Sequence, residues 1–198
     1  MSQRKENRVA VVTGAAGGLG MAFAARLARE GCDIAIADVA SAAHVVADIE
    51  ALGRRAYSEI CDLAEPRDIS RFAGGVLERF GRCDILVNNA AYIPISPFRE
   101  LAFEEFRRVQ AVNVDAPFLL CKSFVPQMIQ REYGRIVNLA SSSVWSPPHG
   151  FTAYIASKMA IIGLTRALAS ELGNLGITVN AISPGLTKHA GSTQALPP

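Results

Sequence analysis

The sequence lacks an excess of charge of either sign. Twenty Lys and Arg against eighteen Asp and Glu leave a formal net charge of +2, and the basic pairs Arg4-Lys5, Arg54-Arg55 and Arg107-Arg108 are scattered along the chain. That pattern forms neither a nucleic-acid footprint nor a basic membrane-binding face, so no nucleic-acid and no membrane partner is expected. Cysteine is sparse: Cys32, Cys61, Cys83 and Cys121 stand far apart, with no CxxC pair and no neighbouring His. The spacing excludes the common zinc frameworks, so no metal site is expected and the thiols read as reduced and mostly buried. Long apolar runs are missing too. Val9 to Val12 is too short for a signal core, the residues before it are polar, and nothing reaches membrane-spanning length, which sets the expectation of a cytoplasmic protein. Internal repeats, linkers and low-complexity tracts are also lacking, and Pro147-Pro148 reads as part of a loop. One domain over residues 1–198 is therefore expected.

What is present is a regular alternation. Half of the residues are hydrophobic, enough to bury a sizeable core. Val- and Ile-rich runs at 9–12, 34–37, 85–87, 136–139 and 177–182 are separated by helix-like stretches at 19–30, 41–52, 66–80, 103–130 and 153–175, and a weaker strand fits Ala56 to Ile60. Six strands alternating with helices predict an α/β fold of the Rossmann type: a doubly wound parallel sheet covered on both faces.

The segment Thr13-Gly14-Ala15-Ala16-Gly17-Gly18-Leu19-Gly20 follows the first strand and opens a helix. Glycines in that context let backbone N–H groups and a helix N-terminus approach a pyrophosphate, so Gly14, Gly18, Leu19 and Gly20 are the expected cofactor contacts. The bland alternative is a tight strand-to-helix turn. Asp38 ends the second strand, where a carboxylate accepts hydrogen bonds from ribose hydroxyls and repels a 2′-phosphate. Gly17 stands where an NADP-selective site would place a basic side chain, so the expected cofactor is NAD. Asn88-Asn89-Ala90-Ala91 closes the fourth strand, where a doubly wound sheet opens its ligand crevice. Its amides brace either the sheet or the cofactor, and an ordinary Asn-rich turn is an equal reading. Asp62, after the third strand, carries the same ambiguity.

Tyr154 and Lys158 are four residues apart in a helix-like stretch and share one face. A free tyrosine titrates near about 10, too high for acid–base work at neutral pH, but a nearby ammonium and a cationic nicotinamide both stabilise phenolate. Ser141, with Ser142 and Ser143 as rivals, follows the fifth strand and is placed to hold a substrate oxygen against Tyr154. Taken singly, such a Tyr-Lys pair is a surface pair and such a serine cluster a loop; the glycine-rich segment in the same chain gives them weight.

The segments TGAAGGLG at 13–20, NNAA at 88–91, the set Ser141, Tyr154 and Lys158, and SPG at 183–185 together resemble the short-chain dehydrogenase/reductase family along essentially the whole chain. The resemblance implies that Tyr154 is the acid–base catalyst, that Lys158 binds the nicotinamide ribose and lowers the tyrosine pKa, and that Ser141 orients the substrate. It also implies that Asn113 supports a water-linked proton relay, and that Asp62 and Leu63 lie beside the adenine. By the same resemblance Asn89 and Ala90 line the adenosine and ribose path, Pro184, Gly185, Leu186 and Thr187 flank the nicotinamide, and the protein self-associates as a homo-oligomer. Two departures stand out. Ala91 replaces the family's usual glycine, a change expected to be tolerated. The family's substrate-covering helical segment, a further helix and a last strand have no counterpart here, so the chain is expected to be C-terminally incomplete.

Two segments border the expected substrate cleft: Tyr92-Ile93-Pro94, and the loop from Ser143 to Phe151. Their aromatic and apolar content suggests hydride transfer between NAD and a hydrophobic or aryl-bearing secondary alcohol or its ketone, a pattern resembling bacterial dehydrogenases of such alcohols. Trp145 and Phe151 read equally well as packing residues. His149 reads as a solvated loop side chain. Alternatives are a dehydrogenase of pyridoxal or another polar alcohol, a 3-oxoacyl reductase, against whose NADPH preference Asp38 argues, and a truncated nucleotide-binding protein without turnover.

Overall fold

The structure, a computed structural model, describes residues 8–187; Arg4-Lys5, the polar residues before Arg8, and Pro197-Pro198 lie outside them. The strands are β1 (Val9–Thr13), β2 (Asp33–Asp38), β3 (Ala56–Ile60), β4 (Ile85–Asn88), β5 (Gly134–Leu139) and β6 (Ile177–Ile182). The helices are α1 (Gly18–Arg29), α2 (Ala43–Ala51), α3 (Pro66–Phe80), α4 (Phe103–Gln110), α5 (Ala116–Gln130) and α6 (Thr152–Leu172). All pairings in the sheet are parallel, in the order β3-β2-β1-β4-β5-β6. The predicted Rossmann-type fold is what the chain adopts, including the weak strand at Ala56.

Strand alternation decides which side chain enters which layer. Val11, Leu86, Ile136 and Val179 point to the face covered by α3, α5 and α6, where they meet Phe72, Leu120, Phe124 and Met128. Ala10, Val12, Ile34, Ile36, Ile85 and Val87 point to the other face, where Ala24 and Ala28 of α1 and Val45 and Ile49 of α2 cover them. Alanines on α1 bring its axis close to the sheet and aim its N-terminus at the end of β1. A polar seam runs through the first of these layers. Asn88 and Asn138 are register partners on β4 and β5; Asn88 Nδ2 donates to Asn138 Oδ1 at 2.8 Å, and Asn138 Nδ2 donates to Thr165 Oγ1 at 2.9 Å. These buried bonds fix α6 against the sheet beneath the C-terminal strand ends, because leaving any one unmade would strand a buried polar group.

One helix differs from expectation. The stretch 103–130 is not continuous: a π-helical turn at Ala111–Asp115 separates α4 from α5. Pro117 explains it. Its nitrogen carries no hydrogen and cannot bond the carbonyl of Asn113 four residues back, so the regular ladder fails there. The Ala116 N–H reaches back to the Ala111 carbonyl instead, the five-residue bond of a π turn. At the far edge of the sheet β6 pairs only with β5 among the described residues, and Asn180, Ala181 and Ile182 are exposed.

Candidate active site

The strand order reverses between β1 and β4, and in such sheets the crevice outside the strand ends is where ligands bind. Here the two sides of that crevice are in contact. Gly14 (φ +65°) lies so close to the β4 turn that a Cβ on it would sit 2.8 Å from Ala90 Cα. At Gly20 a Cβ would be 2.1 Å from the Gly14 carbonyl oxygen. Only hydrogen fits at either position. Thr13 Oγ1 accepts the N–H groups of Asn89 and Ala90, each at 3.0 Å, while Asn89 Nδ2 donates to the carbonyls of Thr13 (2.9 Å) and Gly14 (3.0 Å). Of the two roles open to the Asn89 amide in the sequence, bracing is the one its bonds serve.

Helix α1 begins at Gly18, with no acidic residue in its first turn and no side chain capping it. Its first N–H groups and its dipole are thus offered to an anion. Asp38, at the tip of β2, reaches over the same loop: Oδ2 accepts the Ala16 N–H at 2.8 Å and Oδ1 the Ala40 N–H at 2.9 Å. No neighbour lies within 4 Å of a Cβ placed on Gly17, so the space for a basic side chain exists and is not used. A glycine cradle, a helix N-terminus and a rim carboxylate fit a dinucleotide. Asp62 lies further along the strand ends, with Oδ1 accepting the Ala64 N–H at 2.9 Å and Oδ2 paired to Arg108 at 3.0 Å. Leu63 turns its side chain into the core and leaves only backbone to the crevice.

Across the crevice the candidate reacting groups meet. Ser141 follows β5, and its Oγ accepts the Ser143 N–H at 3.2 Å. Tyr154 and Lys158 come from the first turns of α6, and all three side chains are buried. Ser141 is the serine of this loop that acts on the Tyr154 phenol, lowering its pKa. Lys158 Nζ lies 5.5 Å from the Tyr154 ring centroid and donates to the Leu139 carbonyl at 2.6 Å. Burial raises the Tyr154 pKa, with Ser141 pulling it down in part, and Lys158 is not among the causes. Burial also depresses Lys158 to about 8. With its amine turned to a backbone carbonyl in a dry site, the lysine is itself short of charge stabilisation.

Asn113 sits in the π turn with its side chain fully engaged: Oδ1 accepts the Tyr92 N–H at 2.8 Å, and Nδ2 donates to the Tyr92 carbonyl and to Ser157 Oγ, both at 3.0 Å. The Ser157 hydroxyl donates to the Tyr154 carbonyl at 2.6 Å. Sequence reading missed Ser157, Thr13 and the turn itself. Pro117, four residues after Asn113, was the available signal for the turn. After β6, the Ile182 carbonyl accepts the Ala140 N–H at 2.8 Å and the Pro184 carbonyl the Ser142 N–H at 3.1 Å. These bonds bring Pro184 and Gly185 beside the serine loop, with Leu186 exposed beyond them and Thr187 Oγ1 bonded to the Gly185 carbonyl at 3.2 Å. Ala91 adopts no left-handed backbone, since Glu132 is the one non-glycine residue with positive φ among those described.

In the loop before α6, Phe151 packs edge-on against Tyr154, whereas Trp145 is 77% exposed and His149 is exposed as expected. A groove of about 620 Å³ lies away from this chemistry, between α1 and the strands β4 to β6, lined by Phe23, Leu27, Val87, Val137 and Ile182 among others. The four cysteines are buried, and burial pushes Cys61 and Cys121 up to about 12. Among the described residues no cluster of His, Cys, Asp or Glu is placed to hold a metal, and no helix is long and apolar enough to cross a membrane.

Residues 8–197 match the short chain dehydrogenase family. The chain belongs to that family. It is accordingly an oxidoreductase of CH–OH groups that works with a nicotinamide cofactor. Among curated relatives it is similar to the (2S)-[(R)-hydroxy(phenyl)methyl]succinyl-CoA dehydrogenase subunit BbsD of Thauera aromatica, with 36% identity over 91% of this chain and 73% of that protein. Among solved structures it is similar to an NAD⁺-bound xylitol dehydrogenase, at 38% identity and a TM-score of 0.87 over 93% of this chain and 72% of the other. A short chain dehydrogenase from Burkholderia cenocepacia J2315 in complex with NADP is equally near, at 38% identity and a TM-score of 0.88 over 95% of this chain and 78% of that one.

Proposed function

We propose that the 198 residues form one dinucleotide-binding and catalytic unit, an NAD-linked dehydrogenase of secondary alcohols with Tyr154 as its acid–base catalyst. The observation that carries this reading is the burial of Ser141, Tyr154 and Lys158 together, with Lys158 Nζ 5.5 Å from the Tyr154 ring centroid, facing a glycine cradle across the crevice. Gly14, Gly18, Leu19 and Gly20 hold the pyrophosphate through their backbone, Asp38 the adenosine ribose, Asp62 and Leu63 the adenine edge. Asn89 and Ala90 line the path between, and Pro184 to Thr187 flank the nicotinamide. When bound, the cofactor supplies the hydride acceptor and a positive charge. Ser141 orients the alcohol oxygen, and Tyr154 takes its proton. Lys158, released from the Leu139 carbonyl to the nicotinamide ribose, adds its charge in support of the phenolate. Asn113, whose backbone carbonyl Pro117 deprives of its helical donor, offers that oxygen to a water serving the lysine.

NAD is favoured over NADP by a carboxylate at Asp38 and by the unoccupied space at Gly17, although relatives of each kind are equally near. Ile93, Ile95 and the exposed Trp145 beside the cleft favour a hydrophobic or aryl-bearing alcohol, and the Thauera relative is named for a phenyl-bearing one. A polar polyol is the second reading, favoured by the xylitol dehydrogenase likeness. A homo-oligomer in the cytoplasm accords with this reading.

The test follows reduced-nicotinamide absorbance as the chain meets NAD⁺ or NADP⁺ with aryl, alkyl and polyhydroxy secondary alcohols. Turnover with NAD⁺ that Tyr154→Phe abolishes is the expected result. A preference for NADP⁺ would overturn the Asp38 argument, and cofactor binding without turnover would favour a non-catalytic nucleotide-binding protein.

A further inference from the structure

The loop that leaves β4 is fastened at both ends to neighbours of the groups that touch Tyr154. At its start, Tyr92 exchanges two hydrogen bonds with the Asn113 amide, which also donates to Ser157 Oγ, whose hydroxyl donates in turn to the Tyr154 carbonyl. At its end, the Ser96 N–H donates to the Gly150 carbonyl at 3.0 Å. Phe151 comes next, starting α6 with its carbonyl accepting the Ile155 N–H at 2.8 Å. Its ring lies edge-on to that of Tyr154, with centroids 5.9 Å apart and planes at 80°. One fastening thus reaches the backbone of Tyr154 and the other its ring. Between them lie Ile93, Pro94 and Ile95, which have no polar side-chain atom, and the two isoleucines are 47% and 57% exposed.

The second fastening is sterically exacting. Gly150 has φ +82°, and a Cβ there would lie 3.0 Å from Ile95 Cγ2 and 3.4 Å from the Ser96 nitrogen. A side chain at 150 is therefore strained in its own backbone and pushes on the isoleucine it faces. Proline supplies stiffness in the middle of the segment. The exposed apolar surface of Ile93 and Ile95 thus lies between two anchored ends.

We propose that residues 92–96 are a strap that sets alcohol selectivity, with Ser96, through its N–H, and Gly150 as positioning residues. They hold Ile93 and Ile95 in register with Tyr154, so that an alcohol bearing an apolar substituent is preferred to a polyhydroxylated one. The proposal rests on the dehydrogenase reading above and adds residues that touch neither the cofactor nor the reacting atoms.

Its test compares kcat/KM for 1-phenylethanol and for xylitol, with NAD⁺, in the unsubstituted chain and in Ser96→Pro, Gly150→Ala and Ser96→Ala. Ser96→Pro removes the donor, and Gly150→Ala strains the acceptor. In both, the phenylethanol-to-xylitol ratio falls roughly tenfold, the size of effect that small changes in an apolar pocket produce. The fall comes through KM for phenylethanol, while KM for NAD⁺ stays unchanged. Ser96→Ala keeps the N–H and restores the ratio. Amide exchange at Ser96, slow in the unsubstituted chain and faster in Gly150→Ala, reads the clasp without any turnover. Equal losses on both alcohols, or an unmoved ratio alongside faster exchange, would overturn the proposal alone. No turnover of any alcohol by the unsubstituted chain would overturn the dehydrogenase reading, and the proposal with it.

Discussion

The two sides of the crevice are built by different means. On the β1–β2 side the surfaces are backbone: Gly14 against Ala90, Gly20 against the Gly14 carbonyl, and the open N-terminus of α1. On the β5–α6 side they are side chains, with Ser141, Tyr154 and Lys158 buried together and Asn113 and Ser157 tying them to the loop after β4. A backbone cradle fails when any atom is added to it. A side-chain constellation fails when one functional atom is removed and tolerates much else. Substitutions on the two sides should therefore separate binding from chemistry.

Tyr154→Phe is the sharpest form of that contrast and the largest expected effect. It deletes one buried oxygen and keeps the ring against Phe151. A loss of kcat of roughly a thousandfold, in the range for removing a general acid–base group, should come with unchanged NAD⁺ affinity by fluorescence titration. Weakened cofactor binding in this variant would show that the two sides are not independent. The converse variant is Gly20→Ala. Its Cβ would need the space 2.1 Å from the Gly14 carbonyl, so the loop must shift by about an ångström, a displacement expected to cost on the order of a hundredfold. That loss should appear as cofactor affinity, with the Tyr154 environment undisturbed in aromatic NMR spectra.

These contrasts also explain what could be read from the sequence. The cofactor side was legible because its determinants are contiguous: strand, glycines and helix lie within residues 9–29, and Asp38 closes the next strand. The strands were legible from their apolar runs, and in the first of them Val11 joins one core while Ala10 and Val12 join the other. The reacting side was legible as residue types but not as a geometry. Nothing local says that Thr13 Oγ1 receives the N–H groups of Asn89 and Ala90, or that Ser157 links Asn113 to Tyr154. Those contacts span dozens of residues and exist only once the sheet has formed. The surroundings of the tyrosine were half legible for a related reason: proximity to Lys158 was readable, but the burial of both groups was not.

That burial supplies the next test. Lys158 titrates at about 8 in the folded chain, against about 10.4 for an unperturbed lysine. Between these values the unfolded chain holds a proton that the folded chain has released, so stability rises with pH across the window from about 8 to about 10.4. Below about 8 both states are charged, and the fold bears the whole desolvation cost, on the order of 3 kcal/mol. Lys158→Met should remove that cost. Its cofactor-free melting temperature at pH 7 should exceed that of the unsubstituted chain, and the rise in stability with pH should flatten. A destabilised Met variant would mean that the bond to the Leu139 carbonyl outweighs desolvation. On the cofactor side no comparable gain is available, because the fit at Gly14 and Gly20 admits no larger side chain.

The smallest effect concerns a residue that touches neither side of the crevice. Pro117 lacks the hydrogen that would bond the Asn113 carbonyl, and the π turn at Ala111–Asp115 takes up the fault. Pro117→Ala restores a donor and permits the α ladder to close through the turn, which removes the carbonyl from service and rotates Asn113 relative to Ser157. The exposed alternative, in which the Asn113 side-chain bonds to Tyr92 and Ser157 hold the turn open without proline, predicts no change. Those three bonds are buried or partly buried and worth about 1 kcal/mol each, each close to what a regained helical bond offers. A partial closure is therefore expected: kcat lower by roughly tenfold, equivalent to about 1.4 kcal/mol, with NAD⁺ affinity unaltered and thermal stability raised. If kcat is unchanged while the Asn113 amide NMR signals stay where they are, the side chains alone define the turn. Proline would then be its sequence marker rather than its cause.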